Sequence, residues 1–153
     1  MNAVPIHGLI DFLVEARRET YAIPHGEKLA DGTEQMVWDK GGWSYRDRYA
    51  GQNPYGGQEL VWCGGRVVWM KNYMATVLAD HPPMEAIYAF QRAVLGDPDP
   101  DHLMRGPASY VEGAFAYRND VDGDLLGFSG IETISHDGID VYRMIFHGGL
   151  VGD

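Results

Sequence analysis

The sequence predicts an α+β fold of two internally duplicated α-β-β-β units with pseudo-twofold symmetry, an antiparallel sheet carrying its helices on one face. Three observations predict it. First, the chain repeats itself: Gly41-Gly42-Trp43-Ser44-Tyr45-Arg46 reads against Gly113-Ala114-Phe115-Ala116-Tyr117-Arg118 at an offset of 72, which becomes 73 after one inserted residue. The longer offset aligns Gly57 with Gly130, Glu59 with Glu132, Val61 with Ile134, Trp69 with Tyr142 and Tyr73 with Phe146. A period this long, with one insertion at a turn, marks a duplicated supersecondary unit rather than a solenoid. Second, a segment of helical period precedes strand-like segments in each copy. Third, Gly64-Gly65 and Asp137-Gly138 stand at matching places, and both are two-residue hairpin signals because such turns need positive φ.

Taken in order, Ile6, Leu9, Ile10, Leu13 and Ala16 recur at helical spacing and predict an amphipathic helix from Ile6 to Arg18. Residues 22 to 42 carry Pro24, Gly26, Gly32, Gly41 and Gly42 with little periodicity, which predicts a surface loop with a short strand around Gln35 to Asp39. Three strands follow in each copy: Trp43 to Tyr49 matched by Phe115 to Val121, Gln58 to Cys63 by Ile131 to His136, and Val67 to Tyr73 by Ile139 to His147. Between the copies, Pro82-Pro83 opens a helix from Met84 to Leu95, and Gly96 with the Asp97 to Asp101 run closes it. The 153 residues are thus read as one domain, with repeat 1 over about 6–78 and repeat 2 over about 83–150.

A formal net charge of −10, with only 12 Lys and Arg and no basic cluster, argues against nucleic acid and anionic membranes as partners. No apolar run approaches the roughly 20 residues of a spanning helix, and no export signal is evident at the N-terminus. The single cysteine, Cys63, excludes an internal disulfide. The expected location is the cytoplasm.

The stretches Trp69-Met70-Lys71-Asn72-Tyr73, Gly57-Gln58-Glu59, Arg105-Gly106-Pro107 and Phe146-His147-Gly148-Gly149 resemble a family of small bacterial domains of unknown function, over about Leu13 to Gly149. Members of that family occur alone or fused behind helix-turn-helix modules, so the resemblance implies an effector-sensing role. It supplies no activity, and a stand-alone binder or enzyme, without an attached DNA-binding module, is also compatible with it. A looser analogy, at the level of architecture, is to the duplicated effector-binding domains of multidrug-responsive regulators, which hold lipophilic cations with a buried glutamate.

Two roles are open to Glu59 and Glu132, which repeat inside apolar strands. They either converge near the pseudo-dyad as a cation-binding or acid/base pair, or each braces its own meander through the backbone or the repeated Arg46 and Arg118. The paired aromatics are similarly divided between a core and a ring-lined pocket. Lys71 and His147 break the repeat, since Met144 and Met74 stand in their places. His147, with Glu132 or Tyr73, is therefore the catalytic candidate. The histidines lack metal-ligand spacing, the Asp120 to Asp124 run reads as a turn, and no phosphate-binding loop is present, so neither metal nor cofactor is expected.

The leading expectation is a small-molecule binding domain with its pocket between the repeats, lined by Trp43, Tyr45, Glu59, Trp69, Tyr73, Tyr117, Glu132, Tyr142 and His147. Its ligand would be lipophilic or cationic, and Glu59→Gln would weaken binding with little loss of melting temperature. An acid/base enzyme using His147 with a carboxylate, and a homodimer covering the aromatic sheet face, are the alternatives.

Overall fold

Nine strands form one antiparallel sheet in a computed structural model that describes residues 3–21, 23 and 25–152. The chain runs α1 (Ile6–Tyr21), β1 (Glu27–Lys28), β2 (Glu34–Lys40), β3 (Trp43–Gly51), β4 (Tyr55–Cys63) and β5 (Arg66–Val77). It continues with α2 (Met84–Leu95), a 3-10 turn (Pro100–His102), β6 (Ser109–Glu112), β7 (Phe115–Asp124), β8 (Gly127–His136) and β9 (Ile139–Leu150). The strand order is β1-β2-β3-β4-β5-β9-β8-β7-β6, so β5 and β9 form the central seam, from Trp69 opposite Leu150 to Val77 opposite Tyr142.

Local chemistry explains the boundaries. Helix α1 buries Leu9, Leu13 and Ala16 of the predicted stripe, leaves Ile6 and Ile10 half-buried, and adds Phe12, Arg17 and Thr20 to the buried set. Helix α2 starts after Pro83 and stops at Gly96, burying Ile87, Phe90, Val94 and Leu95 together with Gln91. Gly64 and Gly65 have φ of 57° and 81°, and Asp137 and Gly138 have 50° and 79°, the positive pair that a two-residue hairpin requires. In both of these hairpins the register shifts at a bulge, between Val61 and Trp62 and between Ile134 and Ser135.

Strand alternation separates two faces. Tyr45, Glu59, Val61, Trp69, Lys71, Tyr142, Met144, Phe146, Glu132, Ile134 and Tyr117 are all buried and share the inner face. Both helices lie against it, because Arg17 of α1 reaches Glu59 while Gln91 of α2 reaches Glu132 and Tyr142. The outer face carries Arg46 over the Trp62 ring at 5.2 Å. It leaves Met74, Ile131 and Ile145 exposed at 55%, 43% and 60%.

Close packing on the inner face depends on two glycines. A methyl group on Gly130 would overlap the Phe146 ring, and one on Gly57 would lie 2.5 Å from the Tyr73 hydroxyl oxygen and 2.6 Å from the Arg48 carbonyl. Gly130→Ala is therefore expected to destabilise the protein by about 1 to 3 kcal/mol in urea denaturation, because neither the ring nor the strand backbone can yield freely.

The general α+β class, with two helices on a mostly antiparallel sheet, agrees with the sequence expectation, but the strand count does not. Six strands were expected and nine are present among the described residues. Much of the segment expected to be loop is β2, paired with β3 over seven residues, and Gly41-Gly42, with φ of 59° and 83°, form their hairpin turn. Ala22 and Pro24 of that segment lie outside the described residues. Strand β6 is four residues long and wholly exposed, so it has no buried face to write an alternating pattern.

Candidate functional site

The inner face carries two charged centres, each built on one glutamate. Glu59 projects from the middle of β4, where Asp47 of β3 lies directly across on one side and Lys71 of β5 on the other. Its Oε2 meets Lys71 Nζ at 2.5 Å and Arg17 Nη2 at 3.4 Å; its Oε1 accepts hydrogen bonds from Tyr45 at 2.5 Å and Tyr21 at 2.8 Å. The Lys71 ammonium and the Glu59 carboxylate thus form a fully buried ion pair. Arg17 also donates to the Leu103 carbonyl.

Glu132 holds the corresponding place on β8, between Asn119 of β7 and Met144 of β9. Arg105 Nε donates to its Oε2 at 2.8 Å and Tyr117 to the same oxygen at 2.6 Å. Gln91 at 2.8 Å and Tyr142 at 3.0 Å donate to Oε1. Gly106 makes this possible, since a methyl group there would overlap the Tyr117 hydroxyl. Tyr21 links the two centres, with the guanidinium carbons of Arg17 and Arg105 5.6 Å and 5.7 Å from its ring centroid.

Burial alone would raise both glutamates. Lys71 and Arg17 around Glu59, and Arg105 with its hydrogen bonds at Glu132, reverse that and hold both carboxyls below the ordinary range. Asp47 differs: it is half-buried, its one hydrogen bond among the described residues comes from Tyr73 at 2.6 Å, and burial together with Glu59 pushes its carboxyl up to about 7. Burial draws Lys71 down to about 8, with Glu59 opposing and Arg17 assisting.

These shifts have opposite signs in stability. The glutamates bind protons less readily when folded, so their contribution is present above the ordinary carboxyl range and is lost as pH falls below it. Asp47 binds its proton more readily when folded, so its penalty is absent at pH 4, grows towards pH 7 and is full above that. Urea denaturation of wild type and Asp47→Asn should therefore show wild type losing ground to the variant between about pH 4 and pH 7, and a constant difference above.

The residues expected to line a pocket are distributed unevenly. Tyr45, Glu59, Trp69, Tyr117, Glu132 and Tyr142 are at most 2% exposed and serve the two centres or the core. Trp69 stacks on Phe128 at 5.8 Å and donates to the Leu125 carbonyl, while Trp43 stacks on Phe12 of α1 at 5.6 Å. Tyr73 is half-buried and reaches the solvent-facing end of this set.

His147 is exposed on the outer face, opposite Asn72 and Ser129, so it cannot partner Glu132 or Tyr73. That correction follows from strand alternation, which sends neighbouring residues to opposite faces. For the same reason Arg46 and Arg118 do not brace the glutamates; Arg118 pairs with Asp120 at 2.8 Å. Sequence reading missed Arg17, Tyr21, Asp47, Gln91 and Arg105. Arg17 and Gln91 carried a signal, since each is a polar residue on the apolar stripe of its helix.

Four half-buried tyrosines gather at one end of the inner face. Tyr55 meets the edges of Tyr73 and Tyr88 at 6.2 Å and 5.7 Å, its hydroxyl lies 2.8 Å from that of Tyr142 across the seam, and Tyr49 stands beside Asp47 on β3. A hollow of about 440 Å³ opens elsewhere, between the end of α2 and the Pro98 to Pro107 segment, and reaches Arg105. Among the described residues, no three His, Cys, Asp or Glu side chains are grouped to hold a metal ion. No helix among them is long and apolar enough to cross a membrane.

An antiparallel sheet with two helices closed over two buried glutamate centres defines the class as α+β. The chain belongs to a family described as a domain of unknown function, DUF5680, which matches residues 47–151. That span includes Asp47, both glutamates, Lys71 and Arg105, and leaves out Arg17 and Tyr21. No curated protein and no solved structure matches the chain.

Proposed function

We propose that the protein is a small-molecule binding domain, of the effector-sensing kind, whose ligand enters at the tyrosine-lined end of the inner face. The observation that carries this reading is the group of half-buried rings, Tyr49, Tyr55, Tyr73 and Tyr88, set over a charged network that is otherwise paired and buried. Rings beside the half-buried Asp47 carboxyl suit a lipophilic or cationic ligand, each cation to ring contact contributing roughly 0.5 to 2 kcal/mol. Glu59 and Glu132 serve the ligand indirectly, by holding the buried Tyr21, Tyr45, Tyr117 and Tyr142, of which Tyr142 meets the Tyr55 hydroxyl.

Two further readings belong with this one. The halves are products of duplication, and their matched bulges, matched glutamates and matched tyrosine donors, Tyr45 and Tyr117, support it. The domain works in the cytoplasm, in keeping with its single cysteine, and the family resemblance suggests a bacterial source. A thermal-shift screen of wild type and Tyr88→Ala against several hundred metabolites and organic cations tests the binding reading. A ligand should raise the melting temperature of wild type by several degrees and that of Tyr88→Ala by much less; silence across the library would refute it.

A second reading is favoured by the outer face, where Met74, Ile131 and Ile145 are exposed close together on β5, β8 and β9. A second copy of the chain would cover them. Light scattering should then give twice the monomer mass for wild type and the monomer mass for Ile145→Lys.

A further inference from the structure

The two centres differ in one row of the sheet. Beside Glu59 stand Asp47 and Lys71; beside Glu132, in the same ladder positions, stand Asn119 and Met144. The polar additions at the first centre are thus one acid and one base, placed on opposite flanks of a glutamate.

The base is consumed within the core. Lys71 is fully buried and meets Glu59. The acid is not consumed: both oxygens of Glu59 are taken by Lys71, Arg17, Tyr45 and Tyr21, and among the described residues no cation pairs with Asp47, whose one bond there is from a neutral hydroxyl. Asp47 therefore lies on the flank of Glu59 away from Lys71, where the nearest full charge across the ladder is negative.

The groups around Asp47 complete the picture. Helix α1 presents Arg17 and Tyr21 to this centre, β3 itself supplies Tyr45 and Tyr49, and β5 supplies Lys71 and Tyr73. Arg105, from the segment before β6, acts on Asp47 at longer range. Counting the charged members of both centres, Arg17, Lys71 and Arg105 are balanced by Glu59, Glu132 and an ionised Asp47. A proton on Asp47 leaves one positive charge in excess, and any monocation bound to its carboxylate does the same. Proton and monocation are electrostatically equivalent occupants.

We propose that Asp47 is the ligand-facing carboxylate of this protein, and that it takes either a proton or a small organic monocation, each excluding the other, beside the rings of Tyr73, Tyr55 and Tyr49. This rests on the small-molecule reading above and assigns its chemistry: an ammonium-bearing ligand with an apolar body, whose capture releases a proton near neutral pH. Aromatic faces favour such a cation once it is out of water. Asn119, in the same ladder position of the other centre, has no charge to offer.

Benzyltrimethylammonium is a suitable probe, because it carries a ring and a charge that no pH change removes. Its affinity for the full chain, measured by calorimetry, should be about tenfold or more higher at pH 8 than at pH 5.5, with close to one proton released per probe near pH 6. Asp47→Asn, which copies the Asn119 arrangement and the charge of the protonated acid, should lose at least tenfold in affinity at pH 8 and show no pH dependence. Equal binding by wild type and Asp47→Asn, or no binding by wild type, would overturn the proposal. The two readings fail separately: a metabolite that stabilises wild type and Asp47→Asn alike removes Asp47 and keeps the binding domain, whereas a silent library removes both.

Discussion

Glu59→Gln is expected to lower the melting temperature by on the order of 10 °C. The substitution keeps the shape but removes the charge opposing Lys71 and Arg17, whose side chains are 0% and 1% exposed. Breaking a buried pair costs roughly 3 to 5 kcal/mol because an uncompensated charge is left in the core, and each kcal/mol shifts a chain of this size by about 2 to 4 °C. Lys71→Met should cost less, since Glu59 keeps Arg17, Tyr21 and Tyr45 and the other centre already places a methionine in that position. Adding Lys71→Met to Glu59→Gln should then recover part of the loss, giving a coupling of 1 kcal/mol or more in a double-mutant cycle. Strict additivity would mean that the 2.5 Å contact carries no energy. The expectation that Glu59→Gln spares the melting temperature is thereby reversed: a fully buried glutamate with two cationic partners holds the fold.

Arg105→Leu should be comparably damaging, with a pH signature of its own. It leaves Glu132 fully buried among the neutral donors Tyr117, Gln91 and Tyr142. Without the guanidinium, burial raises the carboxyl instead of being overcome. A raised carboxyl is least costly where it is protonated, so the stability gap between wild type and variant should be widest near pH 8 and narrow as pH falls towards 5. Urea denaturation at the two pH values checks this, and a pH-independent gap would mean that Arg105 acts by packing rather than by charge.

The parts of this protein written in local patterns were legible in the sequence. Both helices, the six longer strands and the two glycine-containing turns follow from periodicity and positive φ, which neighbouring residues determine. The offset between Glu59 and Glu132 singled out two carboxylates that are fully buried on the inner face. What surrounds them was not legible, because Arg17, Tyr21 and Gln91 come from helices and Arg105 from a connection, 27 to 42 residues away, and their arrival depends on how helix and sheet pack. Asp47 was hidden for a related reason. Its importance lies in being directly across from Glu59, a register fact that exists only once β3 and β4 pair. His147 shows the converse: departure from the repeat drew attention to a residue that alternation places on the far side of the sheet.

The binding account is tested most directly by mapping backbone amide chemical shifts as benzyltrimethylammonium, or any compound that stabilises the protein, is added to the full chain. The largest changes should fall at Asp47, Tyr49, Tyr55, Tyr73 and Tyr88, with Met74, Ile131 and Ile145 on the outer face unmoved. Changes centred instead on the outer face, or on the hollow beside His102 and Arg105, with the tyrosines unaffected, would contradict it.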